Sequence, residues 1–184
     1  EWKEEPFDGE GGYDIFIESY APGIYGYSTP DAPSLNSDRQ TSYLQIDNDY
    51  LGFNSIFNLS SSKIMQISVA HEYFHGIQWG YRKNTSGSKY LYEMTSMWFE
   101  DILIPDGNDY LDGWADPLFN NPTADFDNTG GGYELALFGH YLSSFIDTTG
   151  RVEATQSTII REIWERYDST SSNVFSSMKF VLEN

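Results

Sequence analysis

The sequence predicts an α+β fold, with a small twisted sheet near the N-terminus and a mostly helical remainder. Three observations predict it. Apolar and polar residues alternate in YDIFIESY (13–20) and in TSYLQIDND (41–49), the period of a half-buried strand. From residue 60 onward the apolar residues recur at helical spacing instead. Stretches rich in Gly, Pro, Asn and Asp separate these segments. At 184 residues the chain reads as one domain, with a β-rich part over 1–55 and a mainly helical part over 60–184. Hydrophobic residues at 39% and aromatics at 17% supply a core and argue against disorder despite the charge.

In chain order, the strand at 13–20 leads into APGIYGYSTPDAPSLNSD (21–38), whose Pro, Gly and Ser content reads as a long surface loop. In the strand at 41–49, Tyr43, Gln45 and Asp47 face one way, and Leu44 and Ile46 the other. The serines at 60–62 are good N-caps for a helix running through KIMQISVAHEYFHGIQWGY, ended by Gly80 and the loop 82–89. YLYEMTSMWFEDILI (90–104) is the next helix, stopped by Pro105. Residues 105–132 are too long for a simple connector and read as a lid or wall. Helices follow at 133–146 and 158–167, and SNVFSSMKFVLEN reads as the start of another.

Ten basic against 28 acidic residues give a net charge of −18, which repels phosphate backbones and disfavours nucleic acid as a partner. The bland reading of this charge is solubility; the sharper one is a preference for cationic substrates or bound calcium. With no Cys there are no disulfides or thiolate ligands, so any metal is held by His and carboxylates. No 18-residue apolar run is present, so no membrane span is expected. The N-terminal EWKEEPFDGEGGYD lacks the basic and apolar parts of a signal peptide and reads as the interior of a longer precursor.

Within AHEYFHGIQW, His71, Glu72 and His75 spell H-E-x-x-H in a chain with three histidines. On a helix, positions four apart share a face, so two imidazoles can meet one ion. Glu72 stands beside them, where it could take a proton from zinc-activated water. The plain alternative is a helix whose histidines only hydrogen-bond in the core. A catalytic zinc needs a third protein ligand. His140 is one candidate; Glu93 is the better, because a return helix brings it back against the first and its apolar surroundings would penalise an unpaired carboxylate. Glu100, two turns beyond Glu93, is placed to orient a ligand histidine through its other ring nitrogen, or to form a surface salt bridge.

HEYFH followed by EMTSMWFE resembles the gluzincin pattern of zinc metallopeptidases, and most closely bacterial, usually exported metalloproteases with HE-[FY]-FH-x-IQ and E-M-T-x-x-W-x-E motifs. NDYLDG and YELALFGHYL extend the resemblance, which covers roughly residues 40–167 and is strongest at 71–100. It implies a zincin-like fold, zinc on His71, His75 and Glu93, and an extracellular or cell-surface location. It also implies Tyr133 as the oxyanion donor, from the Tyr-Glu at the head of a helix. Two departures narrow it. The position four after Glu93 is Met97, where thermolysin-like members have Asp, and the Gly-x-Met-x-Asn motif of aminopeptidases is absent.

The residues themselves leave the oxyanion donor between Tyr133, which follows a flexible GGG, and His140, seven positions on. Three acidic clusters offer oxygens for calcium: Asp47-Asn48-Asp49, Asp106-Gly107-Asn108-Asp109 and Asp125-Phe126-Asp127-Asn128. None has EF-hand spacing, and turn-forming loops account for them. The expected activity is zinc-dependent endopeptidase cleavage, with the strand at 41–49 as a sheet edge that pairs with an extended peptide substrate. The rivals are a catalytically idle zincin-like surface binding module and a zinc hydrolase of a non-peptide bond.

Overall fold

The structure, a computed structural model, describes residues 2, 12–31, 38–83, 87–112, 114–126, 131–147, 157–170 and 173–184. It is α+β. Strands β1 (Ile15–Glu18), β2 (Gly26–Pro30) and β3 (Ser42–Asp47) form one sheet in the order β1-β3-β2. β1 runs parallel to β3, pairing Ile15 with Leu44; β2 runs antiparallel to it, pairing Gly26 with Ile46 and Pro30 with Ser42.

This corrects two expectations. The strand at 41–49 is central, not an edge. Leu44 and Ile46 are buried where β3 packs on α2, whereas every residue of β1 is exposed, Ile15, Phe16 and Ile17 included. The segment 21–38 is not all loop, because β2 lies within it. Its Gly and Pro are tolerated since β2 is an edge, where one side of the ladder needs no donors. Gly26 is required there. A Cβ would stand 2.6 Å from the Gln45 carbonyl oxygen and 3.1 Å from Ser68 Oγ.

A single turn, α1 (Asn54–Phe57), precedes the long α2 (Ser61–Tyr81). Ser60 caps α2 by accepting from the Lys63 backbone N–H at 3.2 Å. Then α3 (Lys89–Leu103) returns antiparallel, as its partners show: Gln78 meets Tyr92 and Ser96, His71 meets Glu100, and Lys63 meets Asp106. β2 and β3 pack on α2 from the other side. Behind the helix pair, Phe74, Leu91, Met94 and Trp98 join Ile160, Ile163 and Trp164 of α6 (Ile159–Ser169) in the main core, which Val174 and Met178 of α7 (Val174–Glu183) extend. The two indoles buried there are satisfied. Trp98 Nε1 donates to Ser143 Oγ at 3.0 Å, and Trp164 Nε1 to Thr95 Oγ1 at 3.2 Å.

Between α3 and the core helices, a 3-10 turn at Asp109–Leu111 and the short α4 (Asp116–Asn120) occupy the expected lid or wall. Tyr110 is buried with Met97 and Ala136, which pins this segment as a wall. The helix expected over 133–146 is three hydrogen-bonding patterns in sequence: a 3-10 turn at Tyr133–Leu135, α5 (Ala136–Tyr141), and a π-helical turn at Leu142–Ile146. Among the described residues no helix is long and apolar enough to cross a membrane.

Candidate metal centre

His71 and His75 project from one face of α2, and Glu93 reaches them from the antiparallel α3. The Nε2 atoms of the two histidines lie 3.1 Å apart. Glu93 Oε2 lies 3.3 Å from His71 Nε2 and 3.5 Å from His75 Nε2. Zinc bonds of about 2.0–2.1 Å at tetrahedral angles place ligand atoms roughly 3.3–3.4 Å from one another. The three donors match that spacing. They form a group that could hold a metal ion, and the one such group found among the described residues.

The second ring nitrogens support the same assignment. His71 Nδ1–H donates to Glu100 Oε1 in a buried bond. His75 Nδ1–H donates to Gln78 Oε1 at 2.7 Å. The Gln78 amide is itself fixed, because its NH₂ donates to the Tyr92 carbonyl at 2.9 Å, Thr95 Oγ1 at 3.0 Å and Ser96 Oγ at 3.1 Å. With both Nδ1 atoms spent as donors, each Nε2 presents toward Glu93 and the other imidazole.

Two lone pairs and a carboxylate so close together need positive charge between them. In the absence of a metal, a proton serves. Burial pulls the His71 pKa down, but the carboxylates of Glu100 and Glu93 outweigh it and hold it well above 6.5. Burial pushes the Glu93 carboxyl up, and the imidazoles of His75 and His71 overcome this, holding it well below the usual carboxylate range. The three donors could therefore hold a metal ion.

Glu72 is buried beside His71 and lines both cavities that flank the cradle. One cavity is bounded by Gly26, Tyr27 and Ser28 of β2 together with His75, Trp79 and Glu93; the other lies on the His71 side. The edge strand β2 therefore runs along the cleft. Tyr133 lines both cavities as well, and its ring lies parallel to His71 at 5.9 Å. Burial, then the neighbouring Glu93 charge, push its phenol well above 10, so it stays protonated as a donor. The glycines before it are not slack. Gly132 has φ +113°, and a Cβ there would stand 2.6 Å from the Tyr90 backbone. This contact fixes Tyr133 to the helix that carries Glu93.

His140 is placed apart. Its Nε2 lies 3.4 Å from Asp101 Oδ2, and its ring stacks on Tyr110 at 5.6 Å. Burial lowers its pKa, and it lines neither cavity. The expected seven-residue alignment with Tyr133 fails because the intervening 3-10 turn winds more tightly than an α-helix. The acidic clusters use their oxygens elsewhere. Asp47 accepts from the backbone N–H of Tyr20 at 3.0 Å and of Tyr50 at 2.6 Å. Asp106 pairs with Lys63 at 2.7 Å. Asp109 accepts from the Tyr25 hydroxyl at 3.2 Å. The third cluster runs into 127–130, outside the described residues.

Sequence reasoning missed β2, gave Gln78 no role, and read Asp109 only as part of an acidic cluster. Gln78 had a signal, since it stands three residues after His75 on the same helical face. No protein-family model, curated protein or solved structure matches the chain.

Proposed function

We propose that the protein is a zinc-dependent endopeptidase of gluzincin type with a zincin-like catalytic domain. The observation that carries this reading is the convergence of His71, His75 and Glu93 at tetrahedral spacing, with both imidazoles oriented from behind by Glu100 and Gln78. A bound zinc ion would supply Lewis acidity, polarising a carbonyl and acidifying water.

The chain's own residues do the rest. An extended peptide pairs with the free edge of β2 and so lies across the cleft. Glu72 accepts a proton as the water oxygen adds to the peptide carbon. The Tyr133 hydroxyl donates to the oxygen on which negative charge develops. Glu72 then gives its proton to the departing nitrogen as the C–N bond breaks, leaving a carboxylate and a free amine. An idle binding module would have no use for a buried carboxylate at this position, which favours the enzyme over that rival.

Zinc stoichiometry and cleavage of a peptide library, measured together, test the reading. Wild type should hold one zinc per chain, and Glu93→Ala should lose it. Glu72→Gln should keep the metal and lose at least about 100-fold in cleavage rate. Failure to bind metal on reconstitution, or equal cleavage by wild type and Glu72→Gln, would refute it.

A further inference from the structure

The cavity on the His71 side has a volume of about 210 Å³ and opens onto the cradle through His71, Glu72 and Tyr133. A cavity of about 150 Å³ accommodates a benzene-sized group, so this one accommodates an amino-acid side chain. Its lining is of two kinds. Ile67, Met97 and Trp114 supply apolar surface, while Glu100 and Asp109 supply carboxylates.

Both acids are deeply buried, Glu100 being 4% exposed and Asp109 3%. Each is incompletely neutralised. Glu100 gives Oε1 to His71, but its Oε2 is buried with no hydrogen-bond partner among the described residues. Asp109 accepts from the Tyr25 hydroxyl and from the backbone N–H groups of Asp109 and Tyr110, and no described cation is paired with it. A buried carboxylate oxygen without a donor is expensive unless a ligand completes it. A hard metal ion is the wrong ligand. Calcium takes six to eight oxygens, and these acids belong to no ion-sharing group among the described residues.

We propose that this cavity receives the side chain of a lysine or arginine in the peptide substrate. The inference rests on the peptidase reading and names the substrate class of that same site. The aliphatic stem lies on Ile67 and Met97, the Trp114 face meets the cation, and the charged head supplies donors to Asp109, with the Glu100 carboxyl behind it. A lysine or arginine carries both parts in one side chain, as the mixed lining requires. The net charge of −18 draws cationic peptides toward the cleft in the same sense.

The test has two arms. In the first, zinc-loaded protein digests a library of peptides differing at one residue. Lys or Arg at one fixed position beside the cleaved bond should be preferred over Leu by about tenfold or more. Asp109→Asn should shrink that Arg-to-Leu ratio in kcat/KM to about threefold or less. In the second, n-butylguanidine is titrated calorimetrically into the zinc-loaded protein, with n-butanol as the neutral control. Butylguanidine should bind, n-butanol should not, and Asp109→Asn should weaken the affinity about tenfold. Should Asp109→Asn melt early, Trp114→Ala serves, because Trp114 is 40% exposed; its ring packs on Tyr133, so this variant is read by butylguanidine binding alone, which should weaken about threefold. Cleavage without basic preference, together with no butylguanidine binding, overturns the pocket and leaves the peptidase. Binding that depends on Asp109 with no cleavage of any peptide supports the pocket and removes the peptidase reading.

Discussion

His71 and His75 stand one turn apart on α2, yet the two halves of the cradle are held by different chemistry. On the His71 side the partner is a carboxylate from another helix, Glu100, and the surroundings include Asp109 and Glu72. On the His75 side the partner is a neutral amide of the same helix, Gln78, locked by a carbonyl and two hydroxyls. A carboxylate raises the basicity of the imidazole it orients, while an amide fixes direction with little change of charge. The difference teaches that one histidine is tuned electrostatically and the other is aligned geometrically.

The largest expected effect tests the His71 half at the reacting atoms. Tyr133→Phe keeps the ring against His71 and removes the hydroxyl, so kcat should fall about 10²–10³-fold while zinc content and KM change little. A comparable loss in zinc content would show that the phenol serves the metal site instead.

Next comes Glu100→Ala, which strips His71 of its charged partner. Zinc affinity, measured by competition with a coloured chelator, should fall about 10–100-fold. Gln78→Ala should lower it less. Its main cost should appear as stability, about 1–3 kcal/mol in a denaturant titration, because buried groups of Tyr92, Thr95 and Ser96 lose a donor. If Gln78→Ala proves the more damaging to zinc binding, the division between a tuned and an aligned histidine fails.

The smallest effect is a pH dependence. The His71 pKa is raised in the folded metal-free protein, so its contribution is complete below 6.5 and is lost as pH rises through the folded value. Glu93 behaves oppositely. Its pKa is depressed, so its contribution is present above 4.5 and is lost as pH falls through the folded value. Burial raises His71's partner Glu100 to about 8, so that contribution too is lost as pH rises above 4.5. The metal-free protein should therefore melt highest between the Glu93 and His71 limits, toward the lower one. The zinc-loaded protein should gain stability above 6.5, because the ion no longer competes with a proton. Melting curves in chelator and in zinc, from about pH 4 to pH 8.5, check this. A metal-free melting temperature that climbs steadily to pH 8.5 would count against the His71 assignment.

The metal cradle was more legible than the sheet, for a physical reason. His71, Glu72, His75, Glu93 and Glu100 lie on two helices adjacent in sequence, where the 3.6-residue period fixes which side chains share a face. β2 had no comparable local signal. Its GYSTP composition is that of a turn, and it is a strand only because β3 and Ser68 lie beside it. The central place of β3 was hidden for the same reason, since edge or centre depends on which strands join later. Asp109 and Trp114 sat in a segment with no period at all, and their place in the cleft follows from the burial of Tyr110. His140 misled because a seven-residue spacing was converted to a shared face across a turn that is not α-helical.

All the ligands and both orienting residues fall within thirty consecutive positions, 71–100, on one helical hairpin. The sheet joins Ile15 to Leu44 across the same span as His71 to Glu100, 44 − 15 = 29, but by strand pairing instead of helices built from local bonds. The local bonds inside helices form early in folding, whereas strand pairing across such a span forms late. Zinc should therefore be captured by the hairpin in the transition state, so that adding it speeds refolding as well as slowing unfolding. Stopped-flow refolding with and without the ion would show this as a shift of the folding arm of the chevron. On the proposed zinc reading, the chain would then hold the ion before the sheet has closed the cleft over it.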